Sequence, residues 1–192
     1  MRKTASQSSY YTVGGIIQRG FPVLLITCVM GILVGQILNT REKSLISMPA
    51  ILILIPSLIK IGGDTGSMLG ARLSSAFHMG LGDNLRSNPV VKNSVIAASI
   101  VGLTSSVSVS ILVFLASSFM GYEMPFFTLL QISFIAVVIE LAAVYSATVA
   151  IAFASHRFGI DPDDIVIPFI ASLGDLVGVT GILVALHLLN IL

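Results

Sequence analysis

From Phe21 to Leu38 the chain carries no charged side chain, from Ser94 to Phe119 again none, and from Phe126 to Ser155 only Glu140. Runs of this length match the roughly 20 apolar residues that a helix needs to cross a hydrocarbon layer about 30 Å thick. Composition agrees: of 192 residues, 55% are hydrophobic and 10% charged, with a mean hydropathy of +1.01. A water-soluble domain carries about 25% charged residues, so a globular enzyme in water is excluded. Disorder is excluded with it, because that requires low hydrophobicity and high net charge. The formal net charge is +1 and no basic run extends beyond Arg2-Lys3. No nucleic-acid partner and no polybasic lipid-binding arm are indicated, and the solvent partner is membrane lipid. The single cysteine, Cys28, lies in an apolar run and reads as a buried, inert thiol.

Hydropathy divides the chain into a mobile tail, residues 1–15, rich in Ser and Thr, and an integral membrane domain, residues 16–192. The expected architecture is all-α, with five transmembrane helices over residues 16–38, 45–80, 92–119, 126–155 and 165–190. As one helix the second span would be about 54 Å long, well beyond the hydrocarbon core. It is expected to break near Gly62-Gly63, where two poor helix formers follow Pro56. Arg2, Lys3, Arg19, Arg86, Lys92 and Arg157 fall on one side of this topology, and only Arg41 and Lys43 on the other. The positive-inside rule then puts the N terminus in the cytoplasm and the C terminus outside, in a multi-pass protein of the cell membrane.

Two acids stand deep within these spans, Glu140 in the fourth and Asp175 in the fifth. Insertion of an acid at mid-helix costs about 2.5–3.5 kcal/mol, so each needs a partner, water or a function. Asp175 has the more informative surroundings. The stretch Ile167-Pro168 through Ser172-Leu173-Gly174-Asp175 resembles Ile55-Pro56 through Gly62-Gly63-Asp64 in the second span. Prolines free carbonyls one turn back and glycines admit close backbone approach, and a pair of such interrupted segments points to a transport site with acids as cation ligands. Asp64 has two readings, a cavity ligand or an i,i+4 ion pair with Lys60. Lys60 and Arg72 otherwise read as snorkelling to an interface. Small-xxx-small spacing at Gly31 and Gly35, at Gly62, Gly66 and Gly70, and at Gly174 and Gly178 indicates close helix contacts. Ser105, Ser106, Ser108 and Ser110 read as interhelical hydrogen-bonding groups or as water-facing ones. Asp161, Asp163 and Asp164 complement the dipole at the start of the last helix, or concentrate cations at a pore mouth. His78, His156 and His187 are scattered, without zinc-ligand spacing.

The stretch from Pro56 through Lys60-Ile61-Gly62-Gly63-Asp64-Thr65-Gly66-Ser67 to Gly80 resembles the second-helix motif of the MgtE magnesium transporters. Its Ala71-Arg72-Leu73-Ser74 part is more similar to their eukaryotic solute-carrier relatives. The stretch from Asp161-Pro162-Asp163-Asp164 to Gly174-Asp175-Leu176 resembles the signature that opens that family's last helix. The resemblance implies a homodimer, or pairing with a paralogous membrane unit, and a cation path between the second and fifth helices. It puts Asp175 at the pore aspartate and Asp64 where the family usually has Asn, with Gly62, Gly63, Gly174 and Ser172 around them. The transported ion it implies is Mg²⁺, with Mn²⁺ or another divalent ion as alternatives. The cytoplasmic magnesium-sensing domains of the bacterial members have no counterpart in these residues.

Other readings stay open at the level of sequence. A Na⁺- or H⁺-coupled exchanger would use Glu140 as its coupling site. A partner subunit that does not itself transport is a second alternative, and an intramembrane aspartyl protease a third. Against the protease, neither acid is preceded by the Gly-x-Gly pattern of those enzymes.

Overall fold

The computed structural model describes residues 12–81, 88–158 and 162–191, and its regular structure is entirely helical. In chain order the helices are α1 (Val13–Asn39), α2 (Glu42–Ile46), α3 (Pro49–His78), α4 (Pro89–Phe119), α5 (Phe126–Arg157) and α6 (Pro162–Leu188). Five of them, all but α2, are long and apolar enough to cross a membrane, as expected. The chain is an integral, multi-pass membrane protein. Residues 1–11 of the expected mobile tail lie outside the described residues, and residues 13–15 already belong to α1.

Local chemistry sets the helix ends. The Thr12 side chain accepts a hydrogen bond from Gly15 N–H at the start of α1, and Asn88 accepts one from Val90 N–H ahead of Pro89 at the start of α4. Gly80 and Gly121 stop α3 and α4 with φ of +75° and +79°. There Leu81 N–H reaches the Ala76 carbonyl at 2.9 Å and Tyr122 N–H the Ser117 carbonyl at 2.8 Å, the six-to-one closure that a left-handed residue permits.

The expected break at Gly62-Gly63 does not occur. α3 runs without interruption through both glycines, and the chain instead breaks at Ser47–Met48, where α2 ends and Pro49 opens α3. Two constraints account for the difference. Pro49 lacks an N–H and keeps the residue before it out of the α region, so a helix boundary is natural there. Within the bilayer, opening a helix exposes backbone groups that hydrocarbon cannot satisfy, a larger penalty than the roughly 1 kcal/mol helix propensity lost per glycine. The 30 residues of α3 span about 45 Å, the thickness of a bilayer with its headgroup regions.

Helix α3 is central and packs on α4, α5 and α6, while α6 packs on α3, α5 and α1. Leu54, Leu58, Leu69 and Leu73 of α3, Ile132 and Val137 of α5, and Ile170, Ile182 and Leu186 of α6 are fully buried between them. α1 is peripheral: only 6% of its apolar window is buried, against 50% for α3. Cys28 is accordingly exposed on α1, not buried, because it points away from the single helix on which α1 chiefly packs. Gly31 and Gly35 likewise meet nothing within 4 Å, so their spacing makes no contact within the protomer. Of the two readings of the serines, interhelical bonding or facing water, the first is not seen in these bonds: Ser106, Ser108 and Ser110 donate to carbonyls of their own helix, with Ser108 exposed and Ser106 and Ser110 buried.

The closest helix contact is backbone on backbone. A Cβ added to Gly174 would overlap the N and Cα of Gly63, and one added to Gly63 would lie 2.9 Å from the Ala171 carbonyl oxygen. Alanine is the better helix former by about 1 kcal/mol, so only the clash makes the substitution unfavourable. Gly174→Ala is expected to destabilise the detergent-purified protein by about 1–3 kcal/mol in thermal unfolding followed by circular dichroism. The parallel variant Gly31→Ala, in open space, is expected to unfold like the wild type.

Candidate functional site

Because α3 and α6 touch through glycines, the side chains flanking the contact are brought within reach of one another. The Lys60 ammonium of α3 donates to both oxygens of Asp175 on α6, at 2.8 Å to Oδ1 and 3.1 Å to Oδ2. This corrects two expectations. Lys60 neither snorkels to an interface nor pairs with Asp64, because the interhelical distance at the glycines puts a carboxylate from the next helix within reach of its stem. The pair is partly open, with 55% of the Lys60 side chain and 29% of that of Asp175 exposed.

Glu140 occupies the opposite side of the same crossing. It is 0% exposed, and its Oε1 accepts a hydrogen bond from Gly62 N–H at 3.0 Å. On a regular helix that donor serves the Leu58 carbonyl, so Glu140 draws on the backbone of α3 directly. A Cβ on Gly62 would lie 2.5 Å from the Glu140 carboxyl carbon, and one on Gly178 would lie 3.1 Å from Oε1. The carboxyl therefore fills a slot that only glycines on α3 and α6 leave open, and its Oε2 has no hydrogen-bond partner. One turn further along α3, Thr65 donates to the Ile61 carbonyl, and the Tyr145 hydroxyl lies 2.8 Å from both Thr65 Oγ1 and the Ala98 carbonyl. The hydroxyl has one hydrogen to donate to either acceptor, and its contacts with both tie α3, α4 and α5 together.

Of the residues singled out from sequence, Gly62, Gly63, Gly174, Asp175 and Glu140 converge at this crossing. Ser172 is half-buried one turn before Asp175 on α6. Asp64 is exposed, one turn beyond Lys60 on α3. Asp161 lies outside the described residues, whereas Asp163 and Asp164 stand in the first turn of α6. Among the described residues no group of three or more His, Cys, Asp or Glu is placed to hold a metal ion. A bound cation would have to draw on few side chains, on carbonyls and on its own water.

One feature was missed in the sequence. Ser57, Lys60, Asp64, Ser75 and His78 are exposed and Ser67 half-exposed, following one another along α3 at helical spacing with Ala71 between. They form a polar stripe along the outer face of a helix whose opposite face is packed in the core. Ser67 closes its edge by donating to the Ile167 carbonyl of α6 at 3.2 Å. The signal was legible, since polar residues at steps of three and four mark a helix face, but the expected break at Gly62-Gly63 cut the face in two.

Five crossing helices around a buried carboxyl, with an ion pair and a polar stripe on one outer face, define a membrane protein that handles charge within the bilayer, as ion transporters do. Residues 55–185 match the family model of MgtE, a divalent cation transporter, and both Ile-Pro stretches fall within the match. The match takes in more than half of the chain, and the chain belongs to this family of transporters. No curated protein and no solved structure matches it.

The enclosure of Glu140 leads to a specific expectation. Glu140→Ala removes the carboxyl that bonds Gly62 N–H across the helices and leaves a cavity between three helices, and is expected to lose about 2–4 kcal/mol in thermal unfolding. Glu140→Gln keeps an acceptor at the same place and is expected to retain most of the stability.

Proposed function

We propose that the protein carries divalent cations, Mg²⁺ foremost, along a path between two copies of the chain, lined by α3 and α6. The observation that carries this reading is the polar stripe. A row of hydroxyls, an acid and an ion pair on an outer helix face is not stable against hydrocarbon, which solvates none of them. Covering that face with the same face of a second copy, related by a two-fold axis, encloses the polar groups and brings two Asp175 carboxylates to one level. Two carboxylates balance one divalent ion. Mg²⁺ suits such a site because it dehydrates reluctantly, keeps several waters, and asks the protein for one or two carboxylates. Ca²⁺, with six to eight oxygen ligands, would require a denser set than α3 and α6 offer.

In this reading Asp175 is the ligand, Ser172 and the carbonyls near Gly174 serve water of the hydrated ion, and Asp64 adds charge to the path. Asp163 and Asp164 lie at the end of α6 where ions would gather. Glu140 stays behind the path as a bolt between helices. The N terminus faces the cytoplasm, and the protein works in the cell membrane. Asp175 holds an ammonium with both its oxygens, not a second carboxyl, which speaks against an aspartyl-protease pair.

The test is divalent-cation flux into proteoliposomes, comparing wild type with Asp175→Asn over Mg²⁺, Mn²⁺ and Ca²⁺. Wild-type Mg²⁺ flux is expected to fall roughly 10- to 100-fold in the variant while the dimer persists on size-exclusion chromatography. Absence of flux in the wild type under every gradient would shift the reading to a subunit that transports only with a paralogous partner. The same vesicles with imposed Na⁺ and pH gradients separate a channel from a coupled exchanger.

A further inference from the structure

Lys60 is the residue of the stripe that a cation path leaves unexplained. A path for divalent ions calls for acids and carbonyls, yet here a primary ammonium stands on the very carboxylate assigned to the ion. Its Nζ sits in the fork of Asp175, within hydrogen-bond distance of both oxygens. A Mg²⁺ ion that binds a carboxylate does so at about 2.0–2.1 Å, and its ordered waters occupy the surrounding positions. The ammonium and the hydrated ion therefore compete for the same oxygens, and their like charges repel at that separation. For one to bind, the other must leave.

Two features let Lys60 leave. Within the protomer its side chain is 55% exposed, on the face assigned to the path, so the protomer's own packing does not hold the flexible stem in place. Asp64 stands four residues further along the same unbroken helix and on the same exposed face, at the i,i+4 distance where an ion pair forms. The order of the two residues matters. A base preceding an acid by four residues is the weaker orientation of such a pair, so the ammonium rests on Asp175 and has Asp64 as its second position.

We propose that Lys60 is a tethered competitor for the cation site: its ammonium holds Asp175 when no divalent ion is bound and moves to Asp64 when one binds. It thereby sets the threshold for binding and selects divalent over monovalent cations. A monovalent ion exchanges one charge for one and must overcome the high local concentration of a tethered rival. A divalent ion brings twice the charge to the same carboxylate. The inference rests on the reading of Asp175 as a cation ligand.

Mn²⁺ binding to the purified full-length chain, read from the loss of the free-ion electron paramagnetic resonance signal with Mg²⁺ as competitor, tests both separately. Lys60→Gln is expected to tighten Mn²⁺ binding about 3- to 10-fold, and K⁺ should then compete where it does not in the wild type. Lys60→Met, which preserves the apolar stem, takes over should the glutamine variant not yield folded protein. Lys60→Arg keeps the charge and should not tighten binding. Asp64→Asn should weaken binding about 2- to 3-fold when Lys60 is present and clearly less in the Lys60→Gln background, the coupling expected of a shared ammonium. Binding in Lys60→Gln equal to or weaker than wild type, with Asp175→Asn still abolishing it, would overturn the competitor and leave the transport site standing. Equal weakening by Asp64→Asn in both backgrounds would make Asp64 a direct ligand and overturn the two-position movement. Binding indifferent to Asp175→Asn would remove the cation site itself.

Discussion

The approach of α3 to α6 at Gly63 and Gly174 governs how Lys60, Asp175 and Glu140 are arranged. Between membrane helices there is little hydrophobic drive to associate, because lipid tails are as apolar as the side chains they replace. What holds them is close van der Waals contact and the few polar bonds that close contact allows. With one helix backbone resting on the other, a carboxyl from α5 reaches an amide of α3, and an ammonium of α3 reaches a carboxylate of α6. A methyl group at either glycine would separate the helices by the margin these bonds require.

The resulting protomer is asymmetric in polarity. Its most deeply enclosed side chains include Glu140, with no exposed surface, whereas Lys60, Asp64 and Asp175 lie at or near an outer face. A carboxyl that cements three helices and an ion pair that borders an open stripe differ in role, although both are acids in the middle of apolar spans. Their difference is one of access. The glycine slot closes around Glu140, and the same crossing leaves the Lys60–Asp175 pair partly exposed to whatever covers the stripe.

Several parts of this arrangement were legible in the sequence, for physical reasons that can be stated residue by residue. Apolar runs long enough to cross hydrocarbon as helices, with few charges in each, were enough for five spans to follow from length and composition. Asp175 and Glu140 stood out because an acid at membrane depth is expensive wherever it lies. The Gly-rich turns of α3 and α6 pointed to close contact, although the sequence could not tell that Gly62-Gly63 would serve contact without breaking the helix. That decision depends on a neighbour: a glycine pair facing lipid is a weak point, and the same pair facing another backbone is held. Lys60 illustrates the same limit. Within its own helix its nearest acid is Asp64, and a partner 115 residues away cannot be chosen by spacing alone.

By itself, then, the sequence determined that this is a five-span helical membrane protein with two costly acids, and which short motifs carry its family membership. These properties rest on the transfer free energy of single residues and on spacing along one helix, which do not depend on the rest of the fold. Only the tertiary structure decided which acid is locked inside, which one Lys60 holds, and that the face of α3 carrying Ser57, Lys60, Asp64, Ser67, Ser75 and His78 points outward. Those outcomes turn on the distance and rotation between helices, set by the backbone contact of Gly63 with Gly174, and no local pattern encodes either quantity.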